Sequence, residues 1–128
     1  MGDAPLILYV EDNLDNRKLV SRVLRASGFE FHGVEDGKGA LAYLAEQTPD
    51  LILMDINLPE IDGYTMTQQL RQIDKLATIP IVAMTANVMK ADREKSVAAG
   101  CDGFIQKPIN VDLLPDQIRE YLSRNKLL

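Results

Sequence analysis

Three acidic residues follow two strand-like apolar runs. Glu11-Asp12 comes directly after Leu6-Ile7-Leu8-Tyr9-Val10, and Asp55 ends Leu51-Ile52-Leu53-Met54. Carboxylates placed where buried strands emerge into loops can converge in a parallel α/β sheet, whose ligands gather outside the carboxyl ends of the strands. Two carboxylates about 4 Å apart repel by roughly 4 kcal/mol at an effective dielectric of 20. Three together must take up protons or bind a cation. Mg²⁺ suits them, because it takes oxygen ligands in octahedral geometry, keeps several waters, and commonly uses one or two carboxylates together with a phosphate.

Formal charge extends the argument. Three carboxylates carry −3, one lysine brings this to −2, and Mg²⁺ brings it to 0. A phosphoryl group on Asp55 would change its −1 to roughly −2, a severe surplus unless both cations are present. Lys107 is the candidate lysine: it follows the strand-like Gly103 to Gln106, and an ammonium there acts as a compact charge on a phosphate oxygen. Its bland alternative is a surface lysine ending a strand. The Lys107-Pro108 bond is a place where a cis peptide is available, since X-Pro bonds are the ones with appreciable cis content. Thr85, after another apolar run, brings a hydroxyl to the same rim, although Thr is common at strand ends for other reasons.

These residues must be carried by regular elements, and the chain alternates accordingly. Strand-like segments fall at Leu6 to Val10, Glu30 to Val34, Leu51 to Met54, Ile79 to Met84, and Gly103 to Gln106. Between them lie stretches with apolar residues at helical spacing. The first has Leu19, Val20, Val23 and Leu24 and closes at Gly28. The second has Leu41, Tyr43 and Leu44 and stops near Pro49. The third runs from about Asp62 through Leu70 to Ile73, and the fourth ends at Gly100. This predicts a doubly wound α/β fold, (βα)5, with a five-stranded parallel sheet. Segments one, three and four are apolar nearly throughout and should be central. The second carries Glu30, His32 and Glu35 and should be an edge, with His32 solvated. In the last helix, a start at Asn110 would leave Pro115 beyond the first turn, so the expectation is a delayed start near Pro115 or a kink there.

At 128 residues the chain is the size of one domain. Its 46% hydrophobic and 26% charged residues are those of an ordinary globular protein. The net charge of −5 argues against nucleic-acid binding, which depends on neutralising phosphates. Lys90, Arg93 and Lys95 read as a solvated helix face. The single Cys101 reads as a small buried filler and fits a reducing compartment. No apolar run approaches the roughly 20 residues of a membrane span. The chain opens with no apolar leader, and Leu6 breaks the myristoylation pattern that Gly2 would begin. The expectation is a cytoplasmic protein.

Together, Glu11-Asp12, Asp55, Thr85-Ala86 and Lys107-Pro108, each after its strand, resemble the receiver domain of two-component response regulators over about Leu6 to Leu122. The stretch Met84 to Glu94 is especially similar to stand-alone regulators and to receivers of hybrid histidine kinases. The resemblance implies a flavodoxin-like strand order 2-1-3-4-5 and assigns roles that charge alone leaves open. Asp55 would be the phosphoacceptor, taking the group from a phosphohistidine of a histidine kinase or phosphotransfer protein. Mg²⁺ would be held by Asp12, Asp55 and the Asn57 backbone carbonyl, with Glu11 acting through water. Lys107 and Thr85 would contact the phosphoryl group, and Phe104 would be the aromatic switch, without the hydroxyl of the tyrosine found in many members. Asn57 and Asn87 would occupy the positions that tune phosphoryl lifetime. Pro59 and Gly63, in Leu58-Pro59-Glu60-Ile61-Asp62-Gly63, match the family loop and serve its turn, as Pro108 does after the lysine.

The resemblance further implies a single receiver domain over residues 1–128 without an output module, signalling to a downstream protein. Catalysis would be limited to Mg²⁺-dependent self-phosphorylation from phosphodonors and slow self-dephosphorylation. It allows a weak homodimer through the face formed by helix four, strand five and helix five. Other chemistries fit less well. A haloacid-dehalogenase-like phosphatase needs a second acid two residues after the nucleophile, where this chain has Asn57. An FMN binder needs a phosphate loop after strand one, where Glu11-Asp12 would repel the phosphate. The alternative from another class is a phosphorylation-independent interaction module with the receiver shape.

Overall fold

The computed structural model describes residues 4–58, 60–86 and 90–126; Pro59 and Asn87 lie outside the described residues. The elements alternate as the pattern requires: β1 (Leu6–Val10), α1 (Leu14–Ala26), β2 (Glu30–Val34), α2 (Gly37–Leu44), β3 (Leu51–Asp55), α3 (Gly63–Arg71), a 3₁₀ turn (Asp74–Leu76), β4 (Ile81–Thr85), α4 (Lys90–Ala99), β5 (Gly103–Gln106) and α5 (Leu114–Lys126). All neighbouring strands are parallel, in the order β2-β1-β3-β4-β5. Every residue of β3 and β4 is buried, whereas β2 at the edge alternates between exposed and half-buried positions.

Alternation along the strands splits the core in two, because successive side chains point to opposite faces. Ile7 and Tyr9 of β1 join Val20 and Leu24 of α1 and Leu114 and Ile118 of α5 on one face. Leu8 and Val10 join Ala40 and Leu44 of α2 and Met66 and Leu70 of α3 on the other. Leu19 and Leu41, part of the helical periodicity in the sequence, lie instead on the exposed sides of their helices. His32 is exposed, as expected of the edge, and its ring stacks on Tyr43 with centroids 4.1 Å apart. Cys101 is partly buried against the second core face.

Boundaries follow local chemistry. Gly28, at φ +91°, lets the chain leave α1 in a left-handed conformation, while the Phe29 N–H closes on the Leu24 carbonyl. α5 starts late: Asn110 caps a turn through its side chain, which accepts from the Asp112 and Leu113 N–H groups. The helix begins at Leu114, so Pro115 falls in the first turn, where its missing N–H removes no intrahelical bond. β4 begins at Ile81 rather than Ile79. Pro80 has no N–H to give a ladder, and the Ile79 N–H is turned back to the Leu76 carbonyl.

Candidate functional site

Parallel strands end on a common rim, and the acids sit where it begins. Asp55 is the last residue of β3 and Glu11-Asp12 directly follow β1. Glu11 and Asp55 are buried and Asp12 is exposed; each offers a carboxylate oxygen, and the three lie within 4.8 Å of one another. Lys107, just past β5, reaches into the same point. Its Nζ is 3.0 Å from Glu11 Oε1 and 3.1 Å from Asp55 Oδ1. Thr85, buried at the end of β4, accepts the Lys107 backbone N–H on its carbonyl at 2.7 Å, which ties the two strand ends together. The Lys107-Pro108 bond is cis.

The loop after β3 explains two further residues. The Asn57 backbone N–H donates to Asp55 Oδ1 at 3.2 Å and orients that carboxylate. Gly63 opens α3 against the backbone of Asp55: a Cβ at Gly63 would lie 2.3 Å from the Asp55 carbonyl oxygen, so no other residue fits without displacing the helix. Phe104 is half-buried on β5, with the Arg93 guanidinium of α4 over its ring, 5.3 Å from the centroid.

Three residues at the site were not singled out from the sequence. Glu11 Oε1 accepts from the buried Tyr9 hydroxyl at 3.0 Å and from Asn16 Nδ2 at 2.9 Å, and Arg17 Nη1 donates to the Glu11 carbonyl at 2.6 Å. Two signals were available. Tyr9 stands on β1 two residues before Glu11, which continues the strand's pairing through its N–H, so the two face the same way, and Asn16 and Arg17 stand in the first turn of a helix capped by Asn13.

The electrostatics follow from one lysine facing several acids. Burial pushes the Asp55 carboxyl up, and the adjacent Glu11 charge pushes it further, to about 6. Burial would raise Glu11 as well, but hydrogen bonds with Asp55, Lys107 and Asn16 outweigh it and hold Glu11 down at about 2. Burial would lower Lys107, and its bonds to Glu11 and Asp55 instead keep it above the ordinary lysine value. Of the two buried acids, Asp55 is therefore the one that takes up a proton first as pH falls, and above about 6 both are charged with Lys107 between them. An all-oxygen donor set with surplus negative charge is the chemistry that a hard divalent cation fits.

Comparison with known proteins agrees with this geometry. The response regulator receiver domain model matches residues 7–119. The chain belongs to the response regulator receiver family. A polar-differentiation response regulator DivK of Brucella anthropi is 43% identical over 117 residues, covering 91% of this chain and 95% of that protein. The chemotaxis response regulator CheY4 of Vibrio cholerae superposes on this receiver with a TM-score of 0.88 at 26% identity, covering 92% of this chain and 98% of that one. The receiver domain of a Pseudomonas aeruginosa sensor histidine kinase, at 34% identity and TM-score 0.85 over 94% of this chain and 98% of that one, holds a magnesium ion in its active-site cleft. The receiver fold and membership of the two-component response regulators are thereby established for this chain.

Proposed function

We propose that Asp55 of this receiver accepts a phosphoryl group from a phosphohistidine of a histidine kinase or phosphotransfer protein, and that the modified domain then signals by binding a downstream protein. The observation that carries the reading is the Lys107 ammonium lying between Asp55 and Glu11, with Asp12 beside them. In the step, an Asp55 carboxylate oxygen forms a bond to phosphorus while the phosphorus–nitrogen bond of the donor breaks. The imidazole nitrogen keeps that electron pair and an acyl phosphate results. Such chemistry rests on positioning and charge stabilisation. The Asn57 N–H fixes the direction of the Asp55 carboxylate, and Lys107, already within 3.1 Å of Asp55, would pair with an incoming phosphoryl oxygen while keeping its own charge. Asp12, Asp55 and the Asn57 carbonyl would hold Mg²⁺, with Glu11 acting through water; the ion would neutralise charge on the transferring group.

Readout follows the same rim. The Thr85 hydroxyl would turn to the phosphoryl group and Phe104 would rotate inward, which changes the surface of α4 and β5. The elements form one sheet with its covering helices, which supports a single receiver over residues 1–128. Self-phosphorylation from small donors and slow loss of the group would be its whole chemistry. No helix among the described residues is long and apolar enough to cross a membrane, in keeping with the proposed cytoplasmic site of action. Pairing of two copies through α4, β5 and α5 would be a further consequence of the changed surface.

The test is intact mass after incubation with a small phosphodonor, with and without Mg²⁺. One Mg²⁺-dependent adduct is expected on the wild-type chain and none on Asp55→Asn, and Asp12→Asn should weaken Mg²⁺ binding. An adduct that persists in Asp55→Asn means the acceptor is another residue. If nothing adds under conditions where a control receiver labels, the interaction-module reading replaces this one.

A further inference from the structure

We infer that Tyr9 is a positioning residue of the cation site: its buried hydroxyl holds Glu11 Oε1 so that Oε2 is the oxygen turned toward the ion. The inference deepens the proposed function and rests on it for the presence of Mg²⁺. It starts from the strand. Glu11 directly follows β1 and its N–H continues the pairing to the Val34 carbonyl at 2.9 Å, so Tyr9, two residues back and fully buried in the core between β1 and α1, faces the same way, and its hydroxyl reaches the carboxylate at 3.0 Å. The ring is fixed from behind by the edge of Phe31, at 6.4 Å between centroids.

Glu11 Oε1 then accepts three donors: the Tyr9 hydroxyl, Asn16 Nδ2 at 2.9 Å and Lys107 Nζ at 3.0 Å. Oε2 receives the Asn13 backbone N–H at 3.5 Å, a distant contact. A carboxylate oxygen surrounded by three donors is a poor partner for a cation or for its bound water, so the division of donors selects Oε2 for that purpose. The same division matters when Lys107 moves. As its ammonium shifts toward a phosphoryl oxygen, Tyr9 and Asn16 still hold Oε1, so Glu11 keeps its orientation without the lysine. Hydrogen-bond partners that orient a metal-site carboxylate commonly change affinity tenfold or more when removed.

The experiment is calorimetric Mg²⁺ titration of the wild-type chain, Tyr9→Phe, Glu11→Gln and the double variant. Tyr9→Phe keeps the ring and its packing, and circular dichroism checks the fold of each protein. The expected result is Mg²⁺ affinity about tenfold weaker in Tyr9→Phe, and no further loss when the same change is made in Glu11→Gln, because the hydroxyl acts through that carboxylate. A purely structural role would weaken both backgrounds alike.

The chain has no tryptophan and four tyrosines, so its near-ultraviolet spectrum is dominated by tyrosine. Mg²⁺ should perturb that spectrum in the wild type and leave it nearly unchanged in Tyr9→Phe. Equal affinity in wild type and Tyr9→Phe, where the wild type binds Mg²⁺ and takes up a phosphoryl group, overturns this inference and leaves the proposed function standing. A wild-type chain that binds no Mg²⁺ overturns both.

Discussion

The two ends of the sheet solve opposite electrostatic problems. At the carboxyl ends of the strands, Lys107 faces Glu11, Asp55 and the neighbouring Asp12, and charge is left over. At the amino ends, Arg71 at the close of α3 is fully engaged. It donates to the carbonyls of Gly100, Leu76 and Ile79 at 2.9, 2.9 and 2.6 Å, and to Asp102 Oδ2 at 2.6 Å. That same Asp102 oxygen accepts the Ile81 N–H at the start of β4. One cation and one anion thus tie together the end of α3, the turn before β4 and the approach to β5. Matched charges and satisfied carbonyls serve stability; an acid cluster with too few cations serves binding, because something must arrive to balance it.

If that division is right, the largest loss of stability should come from the balanced end. Arg71→Ala removes a half-buried guanidinium and with it the hydrogen bonds to the Gly100, Leu76 and Ile79 carbonyls and the charge partner of Asp102, which should cost about 2–4 kcal/mol in urea unfolding. Phosphoryl uptake by the folded protein should stay at the wild-type level. Reduced uptake under fully native conditions would mean that the two ends are coupled, and the contrast between them would fail.

At the unbalanced end the sign reverses. The Asp55 carboxyl is raised from 3.8 to about 6 by burial and by Glu11. A raised acid adds stability that is fully present below the unfolded value of 3.8 and is lost as pH rises through about 6. Glu11 runs the other way: lowered from 4.5 to about 2, it contributes above 4.5 and fails only as pH falls toward 2. In EDTA at pH 7.5, Asp55→Asn should therefore be more stable than wild type by about 1–3 kcal/mol. The gain should shrink as pH is lowered to 4, where the wild-type carboxyl is protonated. Mg²⁺ should raise the midpoint of the wild type more than that of the variant, since binding to the native state stabilises it. A wild type as stable in EDTA as the variant at pH 7.5 would show that Lys107 alone balances the site.

Much of this was legible in the residues, and the limits have a physical origin. Alternating apolar runs and helical spacings specify five strands and five helices, and the position of Pro115 foretold a late start for α5. The acids could be placed on one rim because parallel strands end together. Charge could not decide which acid would accept a phosphoryl group; the assignment to Asp55 rests on family likeness. What stayed hidden were contacts between distant segments. Arg71 meets Asp102 across 31 positions, Tyr9 and Asn16 converge on Glu11, and Arg93 finds the Phe104 ring only once α4 lies against β5. Periodicity places side chains on a face but does not say which long cation on that face reaches which carbonyl. Leu19 and Leu41 mark the same limit from the other side, since apolar residues at helical spacing turned out exposed.

The smallest predicted effect concerns backbone rather than charge, and it asks whether the rim also stores conformational strain. Glu60 has φ +67°, a left-handed conformation that glycine adopts freely and that costs an ordinary L-residue about 1–2 kcal/mol. It lies in the loop carrying the chain from Asp55 to Asp62, whose side chain caps α3 by accepting the Thr65 N–H at 2.9 Å. With both ends of the loop held, the turn is imposed on Glu60. Glu60→Gly relieves the strain but gives the unfolded chain more freedom, which offsets part of the gain. The net expectation is a stabilisation of about 0.5–1 kcal/mol in the urea midpoint. A lower midpoint would mean that the exposed Glu60 side chain makes the turn favourable in its own right, and that strain at this end of the sheet is confined to its charges.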